Sequence, residues 1–495
     1  MQSWRIVVLL HSEKRPQCPI VEIVRNKTAS VRTNFIYKSL LTLSSYIIAF
    51  VTFPYASRVL GVERIGLVNF VDNTVGYVLL FATMGVALIG TREIAAVRND
   101  ERERSRVYSS ILGMNLLFTL VVLAIYALLI FVVPRFAADS HLFWIGSAKI
   151  LFSALLVEWF YSGMEEFRYI TLRNLAIKLL FVAALFWLVD SPEDYTLYFT
   201  LLVAMVVVNA LVNSGYALTM VRIRFADLIS LKYIKKNFTL GIYGIMTSMY
   251  LTFNVMYLGF VANDVEVGYY TTAFKLYTII LGFCSAFTGV MMPRLSSLLA
   301  QGKMEDFNNA ISRSFDGIVR VIIPLSICSV ILAPQIIGVL SGSGYEGAIL
   351  PMRIIMPTAF SVAVAQVLAV QILLPMRHDK IMLLTSICGA SVALAINIFV
   401  VPHLQSVGSA IVLLTSESLI TLIYFIYIRT KRLATIPLRC IITSLATSTP
   451  TIVAALLCSY YIDNPILSLG VALLTGGSAW AALNYRFLLQ AIKSR

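Results

Sequence analysis

Charge is the scarcest property of this chain. Only 13% of its 495 residues are Asp, Glu, Lys or Arg, where ordinary soluble domains carry about a quarter. Hydrophobic residues make up 59%, and the mean hydropathy is +0.84. A helix that crosses a bilayer needs about 20 mostly apolar residues, so spans with short loops fill the chain and leave no room for a soluble domain of ordinary size. The period-two alternation of a membrane β-barrel is missing as well. The apolar runs are continuous, so the spans are helical.

Further absences narrow the chemistry. The six cysteines, at 18, 284, 328, 388, 440 and 458, form no CxxC. Five lie in or beside apolar runs, which leaves them as small packing residues rather than a disulfide framework or a metal site. The four histidines stand at no catalytic or metal-ligating spacing. No GxxxxGK[ST] loop occurs, so ATP is not the direct driver, and no cofactor is expected. Together these absences argue against an enzyme.

What is present is a basic tail followed by evenly spaced spans. Residues 1–33 are irregular and basic, and their one apolar run is too short for a signal-peptide core. They read as a disordered cytoplasmic tail or an upstream start. Fourteen candidate spans follow, at about 35–57, 66–90, 108–133, 141–162, 170–189, 195–218, 238–261, 268–292, 313–338, 350–374, 380–401, 406–428, 440–461 and 466–488. The first two form a hairpin over 34–106 with a short turn, closed by the charge-dense TREIAAVRNDERERSR.

Basic residues orient the whole array. If the tail is cytoplasmic, alternate loops should be rich in Lys and Arg. The tail, the segments 91–106, 163–178, 219–237, 293–313, 375–380 and 429–439, and the C-terminal end hold 31 of the 39. The opposite side holds Arg58, Arg64 and Arg135; the other five lie within spans or at their rims. Both termini are therefore expected in the cytoplasm. The net charge of +14 is topogenic, which removes nucleic acid as a partner.

A weak internal repeat runs through the array. Asn34-Phe35 recurs as Asn237-Phe238, Ile65-Gly66 as Val267-Gly268, and Arg92 as Arg294, at offsets of 203 and then 202. An even number of spans separates the copies, so they share orientation, related by an axis along the membrane normal. The expected organisation is an N-terminal six-helix lobe (34–218), a cytoplasmic linker (219–237), a C-terminal six-helix lobe (238–428) and two additional helices (440–489). The fold class is all-α and polytopic, with a cavity between pseudo-symmetric lobes.

Four segments in order carry a family resemblance: PYASRVLG at 54–61 with TREIAAVRND at 91–100, WFYSGMEEFRYITLRN at 159–174, GYYTTAFKLY at 268–277 and MPRLSSL at 292–298. The chain resembles the Wzx-type oligosaccharide flippases, the polysaccharide-transporter branch of the MOP superfamily, which also holds the MATE antiporters. The resemblance implies alternating access between two six-helix lobes, with two extra C-terminal helices. It implies, as substrate, an undecaprenyl-pyrophosphate-linked oligosaccharide moved from the cytoplasmic to the outer leaflet of the bacterial inner membrane for O-antigen or capsule. A polysaccharide polymerase and chain-length machinery are the implied partners, besides membrane lipid. Two other readings are weighed. A MATE-like cation-coupled drug exporter should present acids, whereas the span charges here are net cationic. A polysaccharide polymerase needs catalytic acids or a large outer loop.

A diphosphate crossing hydrocarbon asks for fixed cations, and a cation at mid-membrane costs about 2.5–3.5 kcal/mol on insertion scales, so each is worth reading. Lys275 lies seven residues past Gly268; it either lines the cavity or snorkels to the interface. The repeat places it opposite Asn73, beside Asp72, so a Lys275–Asp72 contact between lobes is expected. Arg58, near Pro54, and Lys149 are further cavity candidates, with an interface anchor as the other reading for Arg58. Arg320 has Asp316 one turn before it, so an internal ion pair stands beside its cavity reading. The acids Asp72, Glu158 and Glu417 either bind a coupling proton or sodium ion or partner a cavity cation. Arg92, Glu93 and Arg294 are expected at the cytoplasmic mouth, as gate or topology residues.

Overall fold

A computed structural model describes residues 31–228, 232–234 and 253–485, together with 237, 238, 241 and 487. Residues 31–33, expected in the tail, already belong to a helix, whereas residues 1–30 of that tail and most of the expected seventh span lie outside the described residues. Within them the chain is helical, with no strand. In chain order the helices are α1 (Val31–Thr83), α2 (Val86–Ala96), α3 (Glu101–Val132), α4 (Pro134–Ala138), α5 (Ser140–Ser153), α6 (Glu158–Gly163), α7 (Phe167–Leu188), α8 (Tyr195–Ala217) and α9 (Phe225–Leu228). The second half holds α10 (Phe253–Val261), α11 (Asp264–Ala300), α12 (Met304–Ile331), α13 (Ala333–Ser341), α14 (Ile349–Gln366), α15 (Asp379–Lys431), α16 (Arg439–Tyr461) and α17 (Pro465–Leu483). A π-helical stretch, Val367–Leu373, continues α14.

Among the described residues, eleven stretches are long and apolar enough to cross a membrane. Two of them, Leu40–Thr83 and Asp379–Lys431, have 44 and 53 residues, about twice what a bilayer requires. Each contains a non-helical residue, Gly61 (φ 76°, ψ 169°) in α1 and Gln405 (φ 47°, ψ −121°) in α15. Each is thus two helices joined at a break, and Pro54 and Pro402 lie shortly before the breaks, each removing a backbone donor. Divided there, the eleven stretches become thirteen. The expected 238–261 span is described only over α10. The expected 141–162 span is α5 and α6, interrupted over 154–157.

Side-chain caps fix the starts of three of the helices. The Asp100 carboxylate accepts from the Arg102 and Glu103 amides at the head of α3, Asn263 accepts from Glu266 at the head of α11, and Asn464 accepts from two amides at the head of α17. Apolar side chains project outward along the spans: Trp187 is 85% exposed and Phe131 73%. A surface of this kind is solvated by lipid tails, which offer no hydrogen bonds and so require the backbone there to pair within helices.

The halves meet along α1 and α11, which pack against each other over much of their length. A Cβ on Gly66 would overlap the Asp264 carbonyl, and one on Gly268 would overlap the Val62 carbonyl. Adding 202 to 66 and 62 gives 268 and 264, so these two contacts exchange under the repeat. Asn69 donates to the Thr271 hydroxyl at 3.1 Å, and 271 is again 69 plus 202. Residues that meet their own repeat mates lie on the symmetry axis, so the axis passes by Asn69 and Thr271. The last two helices pack together, α16 on α12 and α17 on α13.

Candidate substrate cavity between the halves

Below the Asn69–Thr271 contact, toward the end that carries the basic loops, charged groups converge at mid-span. Asp72 stands eleven residues past the Gly61 break and Lys275 eleven past Asp264, each about 16 Å along its helix. Lys149 reaches Asp72 from α5 at 2.5 Å, with the side chains 18% and 34% exposed. Lys275 lies on the opposing wall, its Nζ 5.6 Å from the centre of the Phe53 ring, with the Asp72 charge within electrostatic reach. The expected Lys275–Asp72 ion pair is therefore replaced by Lys149–Asp72. The reason is register: Lys149 closes on the carboxylate within the first half, and Lys275 turns to an aromatic face. Tyr198 lies close enough to Asp72 to feel its charge. The group offers two cations, one acid and a phenol in a lining that hydrocarbon could not solvate.

The end of the molecule away from the basic loops is closed by polar contacts between the halves. Arg58 donates through Nη2 to the Val339 carbonyl at 2.5 Å. Ser57 donates to the Leu340 carbonyl at 3.3 Å, and the Tyr345 hydroxyl donates to the Ser57 carbonyl at 2.9 Å. These carbonyls of Val339 and Leu340 belong to the last turn of α13, where unpaired acceptors and the helix dipole favour a cation. Arg135 of the first half pairs with Asp264 of the second and sits over Phe70; within the second half, Glu266 accepts from the Ser406 amide at 3.1 Å. Arg58 is thus engaged with a helix terminus at this end.

The other sequence candidates are distributed elsewhere. Arg320 binds Asp316 at 2.8 Å and the Asn484 side-chain oxygen at 2.9 Å, with Phe487 5.5 Å from its guanidinium. It faces the C-terminal helices and not the α1–α11 seam. Glu417 is 5% exposed in the second limb of α15, and among the described residues no ion pair holds it. Its neighbours Ser418 and Thr421 bond Ser361 of α14. Arg92 and Glu93 pair at 3.1 Å, with Arg92 largely exposed, and Arg294 is exposed near the corresponding end of α11. Glu158 heads α6 and takes Arg173 at 3.1 Å and Asn174 at 3.4 Å.

One cation escapes the sequence reading. Charge counting groups Lys178 with the basic segment 163–178, although the expected span 170–189 contains it; α7 begins at Phe167, so Lys178 is eleven residues inside the helix. Its Nζ donates to Ser45 of α1 at 2.6 Å. The first turns of α7 are themselves basic, with Arg168 and Arg173, which is why the count of topogenic charges includes Lys178.

Residues 31–299, more than half of the chain, match the polysaccharide biosynthesis protein family. The chain belongs to that family. It is 22% identical over 414 residues to the "Putative O-antigen transporter" of Escherichia coli (strain K12), covering 82% of this chain and 98% of that one. A protein of the same name from Shigella dysenteriae is 26% identical over 401 residues, covering 79% and 98%. Among solved structures, the lipid II flippase MurJ in an inward closed conformation superposes with a TM-score of 0.75 at 15% identity, over 92% of this chain and all of that one. An inward-facing MATE multidrug transporter of the MOP superfamily gives 0.54, also at 15% identity, over 86% and 98%. At such identities these two speak for the fold. The chain is a multi-pass membrane protein of the polysaccharide biosynthesis family, and the Wzx-type resemblance of its sequence segments agrees with that membership.

Proposed function

We propose that this transporter moves a lipid-linked oligosaccharide, carried on undecaprenyl diphosphate, from the cytoplasmic to the outer leaflet of a bacterial inner membrane. Both termini lie in the cytoplasm, so the Arg58–Val339 closure faces outward and the basic loops inward. The observation that carries the reading is the Lys149–Asp72–Lys275 group at mid-span on the seam between the halves. Two cations outnumber one acid there, which suits a diphosphate better than the organic cation of a drug exporter. The relatives' names point the same way. Transport proceeds by alternating access: opening of the Arg58 and Arg135 contacts exposes the group to the outside while Arg92, Glu93 and Arg294 mark the inner mouth. Glu417, buried without an ion-pair partner among the described residues, is the acid placed to take a coupling proton or sodium ion. The flipped glycan passes to a polysaccharide polymerase and its chain-length machinery.

The test is deletion of the gene followed by analysis of lipid-linked glycans. Accumulation of complete repeat units on the cytoplasmic leaflet is the expected result. Unchanged surface polysaccharide, in a strain with no second flippase gene, would overturn the proposal.

A further inference from the structure

A second polar cluster lies nearer the basic end, and the mid-span group does not use it. Lys178 and Arg173 project from α7, Glu158 from the head of α6, and Ser45 from α1. Lys178 bonds Ser45 at 2.6 Å, and Arg173 bonds Glu158 at 3.1 Å through Nη2. Asn174 shares the same Glu158 oxygen at 3.4 Å. The Arg173 side chain is only 5% exposed, and its Nε and Nη1 have no hydrogen-bond partner among the described residues. Glu158, in contrast, is 48% exposed and Ser45 is exposed. Charged and hydroxyl groups at this depth are costly against lipid, so the space they face is wet.

The backbone beside the cluster is irregular. The α5–α6 span breaks over 154–157, and Val157 takes the left-handed conformation (φ 37°, ψ 32°) immediately before Glu158. A β-branched residue there is strained, and such strain persists only where neighbours enforce it. Asn213 supplies the enforcement by donating to the Leu156 carbonyl at 2.5 Å, and Tyr161 donates to the Asn213 carbonyl at 2.5 Å. Broken helices within a membrane are tolerated where they are buried in protein or line an aqueous cavity. This break aims the carboxylate of Glu158 at Arg173 and Asn174 instead of leaving it inside a continuous helix.

Along α1 the cations form a ladder. Arg58 belongs to α1 itself, Lys275 meets it at Phe53, and Lys178 meets it at Ser45. The steps of five and eight residues are about 8 and 12 Å. We infer that Lys178 and Arg173 form a diphosphate-binding station on the cytoplasmic side of the Lys149–Asp72–Lys275 group, with Glu158 as a counter-ion that an incoming diphosphate displaces. The inference rests on the proposed function for the choice of diphosphate. The Glu158 carboxylate balances the two cations while the station is empty. An anion with several oxygens then takes over the Lys178 ammonium and the Arg173 Nη2–H that Glu158 gives up, both of which form charge-assisted bonds readily.

The experiment is calorimetric titration of the purified full chain in detergent with farnesyl diphosphate, inorganic pyrophosphate and farnesol. Lys178→Gln should weaken farnesyl diphosphate binding about tenfold, Lys178→Arg should keep most of it, and farnesol should not bind measurably. Glu158→Gln should tighten binding several-fold, because it removes the competing carboxylate; a purely structural role for Glu158 predicts the opposite sign. Tighter binding of the prenylated probe than of pyrophosphate identifies a lipid headgroup as the ligand, and equal binding identifies a free diphosphate; both support the station. Wild-type affinity in Lys178→Gln, or weakening in Glu158→Gln, overturns it. If Lys275→Gln alone loses binding, the station falls and the proposed function stands. If the wild-type chain binds neither diphosphate, the function itself is contradicted.

Discussion

Replacing Asp72 by Asn tests whether the mid-span group is an electrostatic unit. The 2.5 Å Lys149–Asp72 pair has a gross attraction of several kcal/mol at an effective dielectric of about 20. Desolvation offsets much of it, and the partial exposure of both side chains, 18% and 34%, reduces the rest. A net coupling of about 1–2 kcal/mol is the reasonable value. Asp72→Asn deprives Lys149 of its partner and Lys275 of the nearest negative charge, so it should lower the unfolding midpoint in detergent by about 2 °C. Lys149→Met should do the same from the other side. The reversal Asp72→Lys with Lys149→Asp re-forms the pair, and a double-mutant cycle should return the coupling. Surface polysaccharide is the second readout, and it separates stability from transport. The swap keeps the pair but moves the positive end from α5 to α1, so it should restore the midpoint more fully than it restores polysaccharide. Single variants that match wild type in both assays, or a swap as damaged as the summed singles, would refute the reasoning.

Three other perturbations address the frame around the group. Gly66→Val sets a side chain against the Asp264 carbonyl and should splay α1 from α11, so that a Thr271→Cys reporter gains labelling by a membrane-impermeant thiol reagent in whole cells; unaltered labelling contradicts the close approach. Asn213→Ala leaves the Leu156 carbonyl unpaired at the helix break, which should cost about 1–3 kcal/mol and show as a lower unfolding midpoint and faster proteolysis. Arg320→Met frees Asn484 from α12 and should lower the midpoint while leaving farnesyl diphosphate affinity within about twofold of wild type; a large loss of affinity places Arg320 in the cavity after all.

How much of this is legible in the sequence depends on the length scale of the signal. Apolar runs of bilayer length specify membrane helices by themselves, so the spans are readable, and the Gly61 break falls where the hairpin turn is expected. The repeat can be read from Gly66 and Gly268 because only a residue without a Cβ permits the contacts at Asp264 and Val62. Pairings are not readable. Asp72 has more than one cation near its depth, and only the rotation of each helix about its axis decides that Lys149 takes it. The role of Lys178 is hidden for a different reason: the charge count treats it as topogenic with the basic segment 163–178, although it falls inside the expected span 170–189 and eleven residues into α7. The break at Val157 leaves no trace at all, since LLVEWF carries neither Gly nor Pro and its irregular backbone is imposed by Asn213 from another helix.

The repeat gives a last prediction its logic. An axis along the membrane normal preserves depth while exchanging the halves, so Asn73 and Lys275, related by the offset of 202, stand at one depth on opposite walls. The scaffold is symmetric there, as the Gly66–Asp264 and Val62–Gly268 contacts require, but the charges are not: the first half supplies Asp72 and Lys149, the second Lys275. If transport needs a cation at that depth and not on a particular wall, Asn73→Lys should partly rescue Lys275→Asn. Asn73 has room for the exchange, being half-buried with its amide bonded only to the Asn69 carbonyl at 2.8 Å among the hydrogen bonds of the described residues. The ammonium introduced at position 73 would adjoin Asp72 in sequence but point one residue around the helix from it, which leaves the Lys149 pair intact. Surface polysaccharide in a deletion strain should fall in Lys275→Asn and recover in part in the double variant, with Asn73→Lys alone near wild type. No recovery in a double variant that reaches the membrane at normal abundance means that the cation must sit on α11 beside Phe53, and that the asymmetry of the site, not its depth, is what the substrate reads.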